Sequence, residues 1–233
     1  MRICIDSGHN YDKFDTGAAG NGLKEQDITF KIADKLKELL SGAGIEVTMT
    51  RTKITDNVGV NAKDSINQRV RIANTTKCDY FISIHCNSST NKSANGTETL
   101  IYGFGGQAEK IAKVVNASIV SELGTYDRGV KVRTDLGVLR DTLMPAILVE
   151  VAFISNEKDA ELLKSNGDAF AKAIFEGILE HLDKKEEVDI IERLSKIIEI
   201  NDKTTAKAQL LKEKEKNSSL YWILYKIANK EGA

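Results

Sequence analysis

Short apolar runs alternate with longer amphipathic stretches from Met1 to about Asp183. Ile3-Cys4-Ile5, Ile45 to Arg51, Tyr80 to Ile84, Gly96 to Tyr102 and Ala146 to Val149 have the length and the β-branched or aromatic content of strands. Between them, apolar residues recur three or four positions apart. Ile28, Ile32, Ala33, Leu36, Leu39 and Leu40 mark one helix, opened by Leu23 to Asp27 and stopped by Gly42 and Gly44. Ile66, Val70, Ile72 and Ala73 mark a second, with Asp64 as its expected cap and Gln68, Arg69 and Arg71 expected on its outer surface. A third runs from about Gln107 to Leu123, a short fourth follows a cap at Ser155 or Asn156, and a last covers Asp168 to Leu182. This alternation predicts an α/β fold, a twisted and mostly parallel sheet flanked by helices.

Past Asp183 the pattern changes. Lys184 to Glu187 is a run of charge, and no strand pattern follows it. Val188, Ile191, Leu194 and Ile198, then Ala206 to Lys216, then Leu220 to Ile227 read as helices. The expected organisation is a domain over 1–183, a linker over 184–187 and a small all-α C-terminal module over 188–233. So short a segment makes a marginal core. Tyr221, Trp222 and Tyr225 are therefore expected either to bury themselves in a bundle, to meet a partner surface, or to join two copies as a homodimer.

Composition removes some classes of function. The 233 residues carry 33 basic and 34 acidic side chains, a formal net charge of -1, which gives no general electrostatic reason for nucleic acid or an anionic membrane as partner. No run reaches the roughly 18 apolar residues of a membrane span, and Met1 to Asp6 read as a strand rather than a secretion signal, so synthesis in the cytoplasm without membrane insertion is expected. Cys4, Cys78 and Cys86 lack Cys-x-x-Cys spacing and read as reduced core residues. Gly103, Gly105 and Gly106 lack the ending of a phosphate loop.

Three of the strands run into chemistry. The first leads through Gly8 to His9, the central one ends at His85, and the last ends at Glu150. Sites in open α/β sheets lie at the carboxyl ends of strands, and Glu25, at the head of the first helix, comes to the same edge. Two neutral imidazoles and one carboxylate make a zinc site with a fourth position for water, and a second carboxylate can take the proton of that water. Spacing alone does not decide which of Glu25 and Glu150 is ligand and which is base. Glu25 also suits a helix N-terminus as a simple dipole partner, and His181, in the last helix's final turn, reads as a helix-terminal charge. Arg128, Lys131, Arg133 and Arg140 form a small basic group at an expected irregular or hairpin segment bordering the site, Gly129 to Arg140, either as a solvated face or as contacts for a substrate carboxylate. A serine triad is disfavoured because no Gly-x-Ser-x-Gly turn is present.

Ile5-Asp6-Ser7-Gly8-His9, Gly22-Leu23-Lys24-Glu25, Arg69-Val70-Arg71-Ile72-Ala73-Asn74, Phe81 to Asn87 and Leu148 to Asn156 stand in an order that resembles the zinc-dependent N-acetylmuramoyl-L-alanine amidases of the Amidase_3 type. The resemblance covers about residues 1–183. It implies Zn2+ held by His9, Glu25 and His85, with Glu150 as catalytic base. The implied substrate is the amide between the lactyl group of N-acetylmuramic acid and L-alanine of the peptidoglycan stem peptide, and Asn87 and Arg140 are candidate substrate contacts. Asn10, Cys86 and Val151-Ala152 stand where the family usually has glycine, alanine and Leu-Gly. None of these departures removes a ligand or the base. The two-part layout resembles phage or prophage endolysins, released to the wall when a holin opens the membrane, with a mother-cell autolysin as the second setting and wall targeting as the expected task of the C-terminal module. The rivals are a zinc peptidase acting within the stem peptide and an inert wall-binding protein.

Overall fold

The computed structural model describes the backbone of residues 1–198 and the side chains of residues 1–182. In chain order the elements are β1 (Arg2–Ser7), β2 (Ala19–Gly20), β3 (Leu23–Lys24), α1 (Glu25–Gly42), β4 (Glu46–Met49), α2 (Ala62–Thr75), β5 (Tyr80–Asn87), β6 (Thr97–Ile101), α3 (Gln107–Leu123), β7 (Asp127–Val132), α4 (Gly137–Arg140), β8 (Ala146–Phe153), α5 (Glu157–Ser165) and α6 (Gly167–Ile198). Six strands form one sheet in the order β4-β1-β5-β8-β6-β7. The pairs β1 with β4, β1 with β5, β5 with β8 and β6 with β7 are parallel, whereas β6 runs antiparallel to β8. The expected mostly parallel sheet between helices is the one found.

One face of this sheet explains where a site can form. Register pairs Cys4 with Phe81, Phe81 with Ala146, Asp6 with Ser83, Ser83 with Leu148 and His85 with Glu150, and residues paired in register point to the same side. The face is apolar along its lower half, where Cys4, Phe81, Ala146 and Leu148 pack with Val70 and Ala73 of α2 and Val138 and Leu139 of α4. Toward the carboxyl ends it turns polar, through Asp6, Ser83, His85 and Glu150. The opposite face stays apolar, with Ile3, Ile5, Ile82, Ile84, Ile147 and Val149 fully buried.

Asp6 and Arg69 lock the polar half. Asp6 is wholly buried and accepts from Thr50 Oγ1 at 2.7 Å, Ser83 Oγ at 2.7 Å and Arg69 Nη1 at 2.9 Å. Burial opposes its charge, yet Arg69 and the two hydroxyls hold its carboxyl below the usual carboxylate range. Arg69 therefore points inward, and its expected place on the outer surface of α2 is corrected: a cation on a buried helix face is tolerated because β1 brings a carboxylate to it. Asp6→Asn leaves the buried guanidinium only its longer pair with Asp15 at 3.6 Å and should cost about 3 kcal/mol, read as a lower urea midpoint at neutral pH.

Other expectations shift at element ends. Asn61, not Asp64, caps α2, accepting from the Asp64 backbone N–H, and Asn156 caps α5 as expected. Leu23 and Lys24 pair with Gly20 and Ala19 in a hairpin, so α1 starts at Glu25 itself. The segment expected to be irregular or a hairpin from Gly129 holds the rest of edge strand β7, paired in parallel with β6, and the one-turn helix α4. His181 is no helix-terminal charge, because α6 runs on to Ile198 and the imidazole is buried with its Nε2 2.9 Å from the Tyr80 hydroxyl. The same helix continues through the expected linker over 184–187, and the remainder of the expected C-terminal module lies outside the described residues. Cys4, Cys78 and Cys86 are free and buried.

Candidate active site

β1 hands the chain to Gly8, whose N–H donates to the Ile84 carbonyl at 3.0 Å and so straps the turn to β5. A side chain at Gly8 would press into the His85 ring, so the imidazole rests against bare backbone there. His9 and Asp15 both adopt the left-handed region, at φ 70° and 54°, a conformation uncommon for residues other than glycine and found where a site holds the chain in place. This fold-back brings Asp15 Oδ1 to 2.7 Å from His9 Nδ1. Asp15 accepts the ring proton there, which leaves Nε2 as the atom facing the site.

Glu25 enters from the head of α1. Its Oε2 accepts from the Ala18 N–H at 2.7 Å and its Oε1 from the Cys86 N–H at 3.0 Å. The same Oε1 lies 2.9 Å from His9 Nε2 and 3.0 Å from His85 Nδ1, and the two imidazole nitrogens are 3.1 Å apart. These three groups are able to direct one ligand atom each to a shared point. Ligands about 2.0–2.1 Å from a tetrahedral zinc are separated from one another by roughly 3.3 Å, so the triangle has nearly the required size. Its chemistry fits as well, since two imidazole nitrogens and a carboxylate oxygen converge there, and once His9 gives up its Nε2 proton a cation relieves the crowding of their lone pairs.

The charges agree with that reading. Burial disfavours a charged His9, but the bonds to Asp15 and Glu25 and their negative charges outweigh it and raise its pKa to about 9. Burial lowers that of His85, with the His9 charge adding to the effect against the pull of Glu25. Burial also opposes the Glu25 charge, yet His85 and His9 keep the carboxylate ionised far below its ordinary range. One mobile proton thus belongs to the cluster, on the His9 side.

Glu150 stands one strand away, in register with His85. It is not the end of its strand: β8 runs on to Phe153, with an irregularity between the pairs His85–Glu150 and Asn87–Phe153 that gives β8 one extra residue. Glu150 Oε2 is buried with no hydrogen-bond partner among the described residues. Burial, then the charges of Glu25 and Glu98, push its pKa up to about 8. A carboxyl so placed is poised to accept and return a proton near neutral pH.

The sequence profile of the N-acetylmuramoyl-L-alanine amidase family, Amidase_3, matches residues 3–180. The chain belongs to this family. It is 35% identical over 184 residues to the N-acetylmuramoyl-L-alanine amidase LytC of Bacillus subtilis (strain 168), a match covering 77% of this chain and 35% of that protein. It is 36% identical over 181 residues to the endolysin of Bacillus phage SPP1, covering 75% and 62%. The chain thus spans less than two thirds of either relative. Among solved structures, the N-acetylmuramoyl-L-alanine amidase from Clostridium difficile 630 aligns with a TM-score of 0.70 at 31% identity, over 79% of this chain and 97% of that one.

Within this amidase domain the two expected substrate contacts fare differently. Asn87 lies on the site face but donates its amide to Glu98 Oε1 at 3.0 Å. Arg140 ends α4, is half exposed and forms a two-pronged pair with Asp141 at 2.7 and 2.8 Å. No hydrogen bond or ion pair among the described residues joins Arg140 to His9, Glu25, His85 or Glu150. Asp15, Asp6, Arg69 and Glu98 were not singled out in the sequence as parts of the site. Asp6 and Arg69 do fall within the stretches that carry the family resemblance, and Asp15 stands six positions after His9.

Proposed function

We propose that this amidase-family chain hydrolyses the amide between the lactyl group of N-acetylmuramic acid and L-alanine in peptidoglycan. The observation that carries the reading is the convergence of His9 Nε2, His85 Nδ1 and Glu25 Oε1 beside the buried carboxyl of Glu150. His9, His85 and Glu25 would hold zinc, which when bound polarises a carbonyl oxygen and lowers the pKa of water to about 7. Asp15 keeps His9 in the tautomer that offers Nε2. Glu150 takes the proton of the attacking water and returns it to the departing alanine nitrogen, its partnerless Oε2 being free for that exchange.

The setting is part of the proposal. The SPP1 relative is named an endolysin, which supports a lytic role acting on the wall after release from the cytoplasm. No helix among the described residues is long and apolar enough to cross a membrane. Residues 1–183 would carry the catalysis and 188–233 a module that targets the wall or pairs two copies.

Digestion of purified peptidoglycan tests the reaction. New L-alanine amino termini without new reducing sugars are expected. A different new amino terminus would make the chain a peptidase of the stem, and binding without release would make it a wall-binding protein.

A further inference from the structure

Beyond Glu150, the polar face continues outward across two more strands. Glu98 of β6 pairs in register with Glu150 and is buried. Its Oε2 takes two cations at once, Arg128 Nε at 2.6 Å and Lys131 Nζ at 2.6 Å, while Oε1 takes Asn87. Arg128 owes its position to a bulge. Asp127 pairs with Thr97 and Val130 with Thr99, so Arg128 and Gly129, the latter at φ 72°, both stand opposite Glu98. The guanidinium is steadied over the Phe153 ring, 4.9 Å from its centre, and Nη1 reaches the Asn95 carbonyl at 3.4 Å.

Two cations on one carboxylate leave one positive charge in excess, and the group is not sealed off. The Arg128 side chain is 29% exposed and that of Lys131 44%. Arg128 Nη2 has no partner among the described residues, and the Lys131 ammonium has donors beyond the one used by Glu98. A buried anion that fixes two half-exposed cations builds a preorganised anion site rather than a solvated face.

We propose that Arg128 and Lys131, gathered on Glu98, form a subsite for a free carboxylate of the stem peptide on the leaving-group side of the cleaved amide. This rests on the amidase reading above. The direction follows from strand order. The carbonyl oxygen faces the His9, Glu25 and His85 side, Glu150 serves the departing nitrogen, and the leaving peptide is directed past Glu150 toward β6 and β7. The distance fits too. Strands are about 4.8 Å apart and an extended peptide advances up to about 3.5 Å per residue, so cations drawn back over β6 meet a group one or two residues past the alanine.

Two synthetic muramoyl peptides, identical except for a carboxylate or a carboxamide one residue past L-alanine, and a second such pair differing two residues past it, test the subsite on the full chain. In one pair the wild type should favour the carboxylate about tenfold or more in kcat/KM, the range of a hydrogen bond to a charged group. The preference should shrink as salt rises. Lys131→Met and Arg128→Gln should bring that ratio to within about threefold while still cutting the carboxamide, and Lys131→Arg should restore it. Lys131 is exposed enough that its replacement leaves the fold intact. Equal cleavage within both pairs by wild type, or a preference untouched by either charge removal, overturns the subsite and leaves the amidase reading standing. Cleavage of none of the peptides at this amide overturns both.

Discussion

Glu150→Gln should lower kcat by about 10²–10⁴-fold, the usual contribution of a positioned acid–base group, while zinc content and fold survive. The substitution keeps the shape of the side chain and removes only its ability to carry a proton. It also removes a strained charge. Burial and the neighbouring Glu25 and Glu98 carboxylates raise the Glu150 pKa to about 8 in the metal-free protein, so ionising this group weakens the fold as pH climbs from the unfolded carboxylate's range toward that value. The glutamine variant without metal should therefore unfold at an equal or higher urea concentration than wild type at pH 8. Loss of activity alone could reflect damage; loss of activity with equal zinc stoichiometry and an undiminished midpoint cannot. Turnover within tenfold of wild type would remove Glu150 from the proton transfer.

Much of this arrangement was legible in the sequence because the deciding signals are local. An apolar strand that runs into Gly8-His9, or a carboxylate at the first position of a helix, identifies itself within a few residues, and α/β topology brings such ends to one edge. What was hidden depends on contacts between distant segments. Arg69 follows the polar side of the α2 pattern and becomes an inward group only because Asp6, 63 positions earlier, meets it. Asp15 reads as loop until His9 and Asp15 both turn into left-handed conformations. Glu98 looked like an ordinary residue of an alternating strand; its weight comes from β6 inserting antiparallel beside β8, which sets it against Glu150. The basic group of Arg128, Lys131, Arg133 and Arg140 was visible as composition but not as geometry. The bulge in β7 sends Arg128 to Glu98 with Lys131, while Arg133 and Arg140 turn to Asp135 and Asp141.

Zinc affinity should rise about tenfold for each pH unit between about pH 6 and pH 8 and flatten near pH 9. The reason lies in which group must give up a proton. Glu25 is ionised across this range and burial lowers the pKa of His85 below that of a free imidazole, which leaves His9 as the group that gives up a proton. His9, raised to about 9, is protonated, with Nδ1 bonded to Asp15 and Nε2 facing Glu25, and the Nε2 proton occupies the direction a metal requires. Binding must displace that single proton, which fixes the slope at one decade per unit. The sign for the metal-free fold follows from the same shift. A histidine raised above its unfolded value of about 6.5 adds stability that is complete below that pH and is lost as pH rises through about 9. Zinc should therefore stabilise the protein more at pH 8 than at pH 6, by RT times the logarithm of the ratio of its affinities at the two values. Competition with a chromophoric chelator across the pH range reads the slope, and calorimetry in two buffers of different ionisation heat should find about one proton released at pH 7. A flat profile would mean that His9 is already neutral, and a slope of two that His85 is charged as well; either result overturns this account of how Asp15, Glu25 and the two imidazoles share one proton.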